Sequence, residues 1–269
     1  MNKKLSLSLM LLLLFFSFTN ASVQDNESSS PPKKIFTFIP HISAEFLSQK
    51  IRWDEESLIN PVREEDITRL KSFLLTLSIT IKFSESLSVS PFVGYSLSNF
   101  DALTFRELPF SVELDTGYKN GLLFGTELRG DFFSLNHFTL SGQGLFHYCL
   151  GLNKTWEIPT VNTPGTLEGK PDWMRINIGP ILTYKGIQYL YPYAGISFNR
   201  VWGKYKASQI VGLLSSEEER KFKSRSVLCA AIGVLYEMTD FFHVTGEVKI
   251  LPHGGGLDFS FLLKASYIH

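Results

Sequence analysis

Apolar and polar residues alternate one by one over ten stretches of the chain. In the last stretch, Leu257 to Tyr267, one face carries Leu, Phe, Ala and Tyr side chains and the other carries Asp258, Ser260, Lys264 and Ser266. A period of two residues is the signature of a β-strand, and each stretch has about the length that a tilted strand needs to cross a bilayer. The predicted strands are approximately 36–50, 70–83, 87–98, 121–133, 138–151, 173–185, 189–202, 226–238, 242–251 and 257–267.

The first eight links between these strands alternate in length. Four are short, near 84–86, 134–137, 185–188 and 239–241, and four are long and polar, at 54–69, 99–120, 152–172 and 204–225. Membrane barrels have short periplasmic turns and long extracellular loops. The sequence therefore predicts an all-β fold, a closed antiparallel transmembrane β-barrel of ten strands with both termini in the periplasm. Eight or twelve strands stay open as alternatives, because Phe105 to Asp115 also alternates weakly and would lengthen its neighbours or add a hairpin.

The two faces of the strands differ in what they require of their surroundings. A continuous outer ring of Phe, Leu and Ile would be insoluble in water, whereas a soluble barrel of the lipocalin kind turns its apolar residues inward. We therefore expect lipid outside and a polar lumen inside. The lumen is predicted to hold an ion-pair network made by Glu45, Glu127, Arg129, Asp131, Arg175, Glu247 and Lys249.

Aromatic residues cluster near the ends of the predicted strands. Aromatic side chains are enriched at both membrane interfaces, so two aromatic girdles are expected. The predicted girdle residues are Trp53, Trp173 and Trp202 at the long-loop ends, and Phe83, Tyr184, Phe242 and Tyr267 at the turn ends.

The amino terminus predicts export. Asn2-Lys3-Lys4 precedes an apolar run from Leu5 to Phe18, which closes on the small residues before a cleavage site after Ala21. Residues 1–21 are thus predicted to be a signal peptide, 22–34 a flexible Pro/Ser-rich periplasmic lead-in and 35–269 the barrel domain. The 26 basic and 26 acidic residues cancel, which leaves no electrostatic footprint for nucleic acid.

With its signal peptide, alternating strands and apolar-aromatic last strand, the chain resembles the small outer-membrane β-barrel proteins of Gram-negative bacteria. The resemblance implies location in the bacterial outer membrane and contact with its lipid and with lipopolysaccharide. It also implies recognition of the last strand by the barrel-assembly machinery. In that class the last strand typically ends on an aromatic residue, whereas this chain ends Ile268-His269.

Three functions are compatible with such a barrel. The first is a non-catalytic surface protein with a largely side-chain-filled lumen, which displays the loops 54–69, 99–120, 152–172 and 204–225 for adhesion, envelope stability or an extracellular partner. The second is a narrow pore for ions or small solutes, which small lumen-facing residues would favour, although close backbone approach explains those residues better. The small residues are Gly94, Gly125, Gly179, Gly195, Ala231 and Gly233.

The third function is a lipid A-modifying hydrolase, because His41-x-Ser43 resembles the His-x-Ser motif of lipid A deacylases. Both residues are predicted to face the lumen, away from a lipid substrate, so polar packing is the better explanation and no catalytic residue is assigned. The His residues show no metal-ligand spacing, and neither a metal nor a cofactor is predicted. Cys149 and Cys229 are expected to be two buried thiols, since their strands lie three apart in the ring.

Overall fold

The structure is a computed structural model that describes residues 37–54, 67–101, 103–105, 112–114, 117–158 and 165–268. No helix in these residues is long and apolar enough to cross a membrane. The strands in the described part are β1 (Thr37–Asp54), β2 (Ile67–Lys82), β3 (Leu87–Phe100), β4 (Leu103–Phe105), β5 (Val112–Leu114), β6 (Lys119–Leu135), β7 (Phe138–Gly151), β8 (Lys154–Ile158), β9 (Gly165–Tyr184), β10 (Leu190–Val211), β11 (Leu214–Ser224), β12 (Leu228–Thr239), β13 (Phe242–His253) and β14 (Gly256–Tyr267).

The long strands pair into a closed antiparallel ring. Its order is β1, β2, β3, β6, β7, β9, β10, β12, β13 and β14, and the ring closes where His41–Ser48 of β1 pair with β14. A closed ring leaves no unpaired backbone edge, which is the condition for crossing lipid with strands. The closed antiparallel barrel predicted from the sequence is confirmed.

The outer wall of the ring carries an apolar belt. Along β2, for example, Leu77 is 60% exposed and Ile79 is 50% exposed, while Ser72, on the opposite face of the strand, is buried. This alternation leaves large apolar side chains for lipid to cover. The belt includes Phe38, Ile42, Phe73, Leu75, Leu77, Ile79, Val93, Leu122, Phe124, Leu128, Phe132, Leu140, Phe146, Ile178, Leu182, Ile196, Phe198, Leu228, Ile232, Val248, Ile250, Phe259, Phe261 and Leu263.

The two ends of the barrel differ in their connections. The turn end holds the short links 83–86, 136–137, 185–189 and 240–241, and it is also where β1 begins and β14 ends. The opposite, loop end holds the longer connections β1–β2, β3–β6, β7–β9 and β10–β12, together with the two-residue link 254–255 between β13 and β14. By the rule of short periplasmic turns, the turn end is periplasmic and the loop end is extracellular.

The segments 152–172 and 204–225, predicted to be long polar loops, consist largely of strand. β9 and β10 run for 20 and 22 residues and continue past the belt, where β8 pairs with β9 and β11 pairs with β10. β11 also pairs with Ile51–Asp54 of β1. We call β8, β11 and the extended ends of β9 and β10 the extracellular sheet. Strand pairing satisfies the backbone hydrogen-bonding groups of these segments, which are too polar to span the membrane.

The weak alternation at 105–115 falls partly on β4 and β5, while residues 106–111 and 115 lie outside the described part of the chain. β4 pairs with β5 in a separate two-stranded sheet that is not part of the ring. Most of the link 54–69 lies outside the described residues, as do the predicted signal peptide and the lead-in at 22–34.

Candidate functional site in the barrel interior

An ion pair spans the lumen from one wall to the other. Glu45 lies on β1 and Arg175 on β9, which are five strands apart in the ring in either direction. The Arg175 Nη1 atom donates to Glu45 Oε1 at 2.6 Å. Ser260 Oγ donates to the same oxygen at 2.6 Å, and Arg175 Nε donates to Asn199 Oδ1 at 2.7 Å. Each charge therefore has both an opposite charge and a neutral hydrogen-bond partner.

The other predicted lumen charges make separate contacts. Lys249 Nζ is 2.8 Å from Glu247 Oε1 on the same strand, and Arg129 Nε is 4.0 Å from Asp131 Oδ1. Glu127 pairs at 3.5 Å with Lys264, which the predicted network did not include. Lys264 lies on β14, four strands from Glu127, so this second pair also crosses the lumen.

Between these pairs lies a cavity of about 60 Å³. Its polar lining includes Glu45, Glu127, Gln143, His147, Lys249 and Lys264. A volume of this order admits only a few water molecules. Leu74 and Leu123 also line the cavity, and both belong to the apolar core of the barrel interior. The space is thus too small for a solute larger than an ion with part of its hydration shell.

His41 and Ser43 do not form a catalytic pair in this arrangement. The His41 ring nitrogens lie 2.6 Å from Ser266 Oγ and 2.6 Å from Thr80 Oγ1. Ser43 Oγ instead lies 2.6 Å from Thr76 Oγ1. Both side chains face the lumen and are engaged with polar neighbours there, which agrees with polar packing.

At the loop end, the interior is apolar rather than charged. Trp53, Phe100, Tyr205 and Phe222 form an aromatic cluster in which no side chain is more than 4% exposed. Phe222 packs 5.1 Å from Trp53 and 5.4 Å from Phe100, and Tyr205 packs 5.7 Å from Phe100, as measured between ring centroids. Edge-to-face contacts at such separations are favourable. The same core also contains aliphatic side chains, namely Leu47, Ile51, Leu70, Leu74, Leu123, Leu167 and Val201.

The placement of Trp53 and Trp173 in an outer aromatic girdle is wrong. Trp53 belongs to the interior cluster, and Trp173 is fully buried with its ring 5.1 Å from that of His147. The reason is parity: Trp53 shares its face of β1 with Glu45, and Trp173 shares its face of β9 with Arg175. Nearness to a loop end does not make a residue face lipid.

The remaining girdle residues lie outside the lumen or at its rim. Phe83 and Tyr267 are 54% and 47% exposed at the turn end. Tyr184, Phe242 and Trp202 are partly exposed. Their contact with the membrane interface stays a prediction.

Lys119 is a buried lysine beside the aromatic cluster. It is the first residue of β6 and lies above the membrane-spanning part of that strand, where the belt ends at Leu122. Its Nζ atom lies 4.1 Å from the ring centroid of Trp156 and 4.2 Å from that of Tyr205. Nζ has no hydrogen-bond partner among the described residues. Burial lowers the pKa of Lys119 to about 6, and the charge of Lys154 acts in the same direction.

Cys149 and Cys229 are both buried and free, as expected from the separation of their strands. Cys149 Sγ lies 2.9 Å from Ser96 Oγ. Among the described residues, no three His, Cys, Asp or Glu side chains are placed to hold a metal ion.

The small inward residues reflect close packing of neighbouring strands. At Gly94, Gly125 and Gly179 an added Cβ atom would collide with a backbone carbonyl of the adjacent strand. At Gly233 it would collide with the ring of Tyr193, which lies opposite in the strand register. These glycines thus admit neighbouring groups and do not widen a pore.

No protein-family model matches the chain, and no curated protein matches it in sequence. Similar solved structures include the outer membrane protease OmpT from Escherichia coli, at 10% identity over 91% of this chain and 99% of OmpT, with a TM-score of 0.47. The COG4313 outer membrane channel from Pseudomonas putida F1 gives 9% identity, 90% and 100% coverage and a TM-score of 0.40. Ail, the attachment invasion locus protein of Yersinia pestis, is 13% identical over 85% of this chain and 97% of Ail, with a TM-score of 0.34. These similarities assign no activity to the chain.

Proposed function

We propose that this outer-membrane β-barrel is closed to ions and solutes and acts at the cell surface, in adhesion, envelope stability or contact with an extracellular partner. The observation that carries the proposal is the aromatic cluster of Trp53, Phe100, Tyr205 and Phe222, which fills the interior at the extracellular end. A hydrated ion would have to displace well-packed rings in order to pass. Barrels of about eight strands are normally filled by side chains, whereas wide aqueous channels appear near sixteen.

The lumen below the aromatic cluster supports the same conclusion. The Glu45–Arg175 and Glu127–Lys264 pairs cross the interior and join strands on different sides of the ring. Removing Glu45 or Arg175 would leave the charge of the other buried without its partner, so this pair is not easily parted. The two pairs brace the wall and occupy the path that a solute would take.

The extracellular sheet is the surface that such a barrel would use. At the tip of the β10–β11 hairpin, Leu213 is fully exposed, and Ile210 and Leu214 are 47% and 58% exposed. Gly212 has φ of 60° at this turn, a conformation that glycine adopts without strain. Apolar side chains gathered at an exposed tip are typical of a contact surface.

Conductance in a planar lipid bilayer tests the closed barrel. The wild-type protein is expected to give no reproducible channel. A Trp53→Ala/Phe222→Ala variant removes two rings from the aromatic cluster and is expected to give brief openings. Trp202→Ala is the matched control, because Trp202 is outside the lumen and its loss leaves the cluster intact. Stable openings of the wild-type protein would overturn the proposal.

A narrow pore is the second candidate, and the cavity of about 60 Å³ is the observation that favours it. In that case the wild-type channel should select for charge, and Lys264→Gln should change the selectivity because Lys264 lines the cavity. The same bilayer recordings separate the two candidates.

The surface role is tested on whole cells. Leu213→Ser/Leu214→Ser removes the apolar tip and is expected to reduce attachment of expressing Gram-negative cells to immobilised matrix proteins. Leu135→Ser, at the exposed turn end, is the control and should leave attachment unchanged. Equal attachment by all variants and by cells without the protein would contradict a role in adhesion.

A further inference from the structure

Basic residues form a wall on one outer side of the barrel. On β1 and β2 they continue the outward face of the belt, and on β11 they alternate with the buried residues Phe222 and Ser224. The same face continues onto β10, beside β11. The basic wall consists of Lys50 and Arg52 on β1, Arg69 and Lys71 on β2, Arg200 and Lys204 on β10, and Lys221, Lys223 and Arg225 on and just after β11.

The strand register places cations of the basic wall directly opposite one another. Lys50 lies opposite Arg69, and Arg52 lies opposite Lys223. Lys204 lies opposite Lys221 in the same way. The backbone N–H of Arg225 donates to the carbonyl of Lys50 at 3.0 Å, which brings a further cation beside it.

Like charges directly opposite on neighbouring strands are destabilising. A wall that repeats this arrangement across four strands gains stability when an anion lies over it.

Several acidic residues of the described part of the chain lie beside the basic wall. Lys71 pairs with Asp101 at 2.8 Å, and Lys204 pairs with Glu219 at 3.2 Å. Arg69 reaches the buried Asp258 at 3.4 Å. Asp54 lies opposite Lys221 in the register of β1 and β11. Among the described residues, the cations of the basic wall outnumber these acids.

The height of the basic wall identifies its anion. On β1 the last apolar outward residue is Phe46, and Lys50 lies two outward positions above it; on β2, Lys71 is the outward residue next above Phe73. The wall thus begins where the apolar belt ends, on the extracellular side, and faces sideways along the membrane. Anions at this height are the phosphate groups of the outer-leaflet lipid, whereas a soluble polyanion would reach the tip of the extracellular sheet first.

We propose that the basic wall binds the phosphate groups of lipopolysaccharide in the outer leaflet. Ammonium and guanidinium groups donate charge-assisted hydrogen bonds to phosphate oxygens, and the acyl chains of the same lipid cover the apolar belt below. The proposal does not depend on whether the lumen conducts, because the wall lies outside the barrel.

The test measures how much diphosphorylated lipid A the full-length protein retains from mixed detergent micelles. Lys50→Gln/Lys221→Gln removes two cations of the wall. At about 1 kcal/mol for each cation near an anionic surface, the affinity is expected to fall on the order of 10- to 30-fold. Raising the salt concentration should weaken binding of the wild-type protein in the same direction.

Lys82→Gln/Lys185→Gln is the matched control, because it removes two exposed lysines at the turn end. This variant is expected to bind as the wild type does. Heat-dependent migration on SDS gels establishes that every variant is folded.

Three results would overturn the proposal. One is unchanged binding by Lys50→Gln/Lys221→Gln, and another is equal retention of lipid A from which the phosphates have been removed. The third is binding of soluble heparin that is lost in the same variant and stronger than binding of lipid A, which would assign the wall to an extracellular polysaccharide.

Discussion

The carboxylate of Glu45 and the guanidinium of Arg175 meet at 2.6 Å, although their strands stand on opposite sides of the barrel. Their sequence separation is 130 residues. A contact of this kind fixes the distance between the two walls, because one long side chain reaches from each wall to the centre. It also marks the boundary between the charged lower lumen and the apolar interior above it.

Arg175→Met is expected to destabilise the barrel by about 3–5 kcal/mol, because it leaves the buried Glu45 carboxylate without its cation. Urea unfolding in detergent, followed by tryptophan fluorescence, measures the change. Glu45→Gln/Arg175→Met removes both charges and is expected to recover most of the loss. A double variant that is no more stable than Arg175→Met would show that packing of the guanidinium, and not its charge, supports the wall.

Glycines of the barrel wall should differ sharply in their tolerance of a methyl group. Gly179→Ala forces a Cβ atom against the backbone of Ile196 and Ser197, and the expected cost is about 1–3 kcal/mol of unfolding free energy. Gly246→Ala is the control, because nothing lies within 4 Å of the position that its added methyl group would take. It should be neutral or stabilising by roughly 0.5 kcal/mol, as the unfolded chain loses freedom. Equal midpoints for the two variants in urea would contradict close strand packing at Gly179.

The strand pattern is enough to predict the barrel because the two-residue period acts on every strand independently. Lipid selects apolar residues on one face, and the alternation then determines which residues face inward. Glu45, Arg175 and Lys249 are predicted to face the lumen for this reason, without knowledge of any partner. The pairing of Glu45 with Arg175 is beyond such a prediction, because it depends on which strands stand opposite in the closed ring.

The aromatic cluster could not be predicted from the sequence, for a different reason. Above the membrane both faces of a strand touch protein or water, so the rule of apolar outside and polar inside no longer holds. Tyr205 and Phe222 lie among lysines, in a segment whose composition is typical of a polar loop. The sequence does contain one signal for the cluster. When the alternation of β1 is extended by a few residues, Trp53 falls on the same inner face as Glu45.

Both cysteines should resist alkylation in the folded barrel. Cys149 is 1% exposed and Cys229 is fully buried, and both are free thiols. A maleimide reagent added to the folded protein is expected to leave the mass unchanged, whereas addition in urea should attach two labels. Cys149→Ser should then take one label in urea. Absence of labelling in urea that is restored by a reductant would reveal a disulfide and contradict the structure.

Lys119 should make the stability of the barrel depend on pH. Its pKa of about 6 in the folded protein lies below the ordinary 10.5, so between these values the unfolded chain binds more protons and the free energy of unfolding rises with pH. The slope reaches at most about 1.4 kcal/mol per pH unit. Comparing wild-type and Lys119→Met proteins in urea between pH 7 and 9 isolates this contribution, because the variant lacks the titrating group. A difference that stays constant over this interval would mean that the rings of Trp156 and Tyr205 keep the ammonium charged in the folded barrel, since aromatic faces attract a cation.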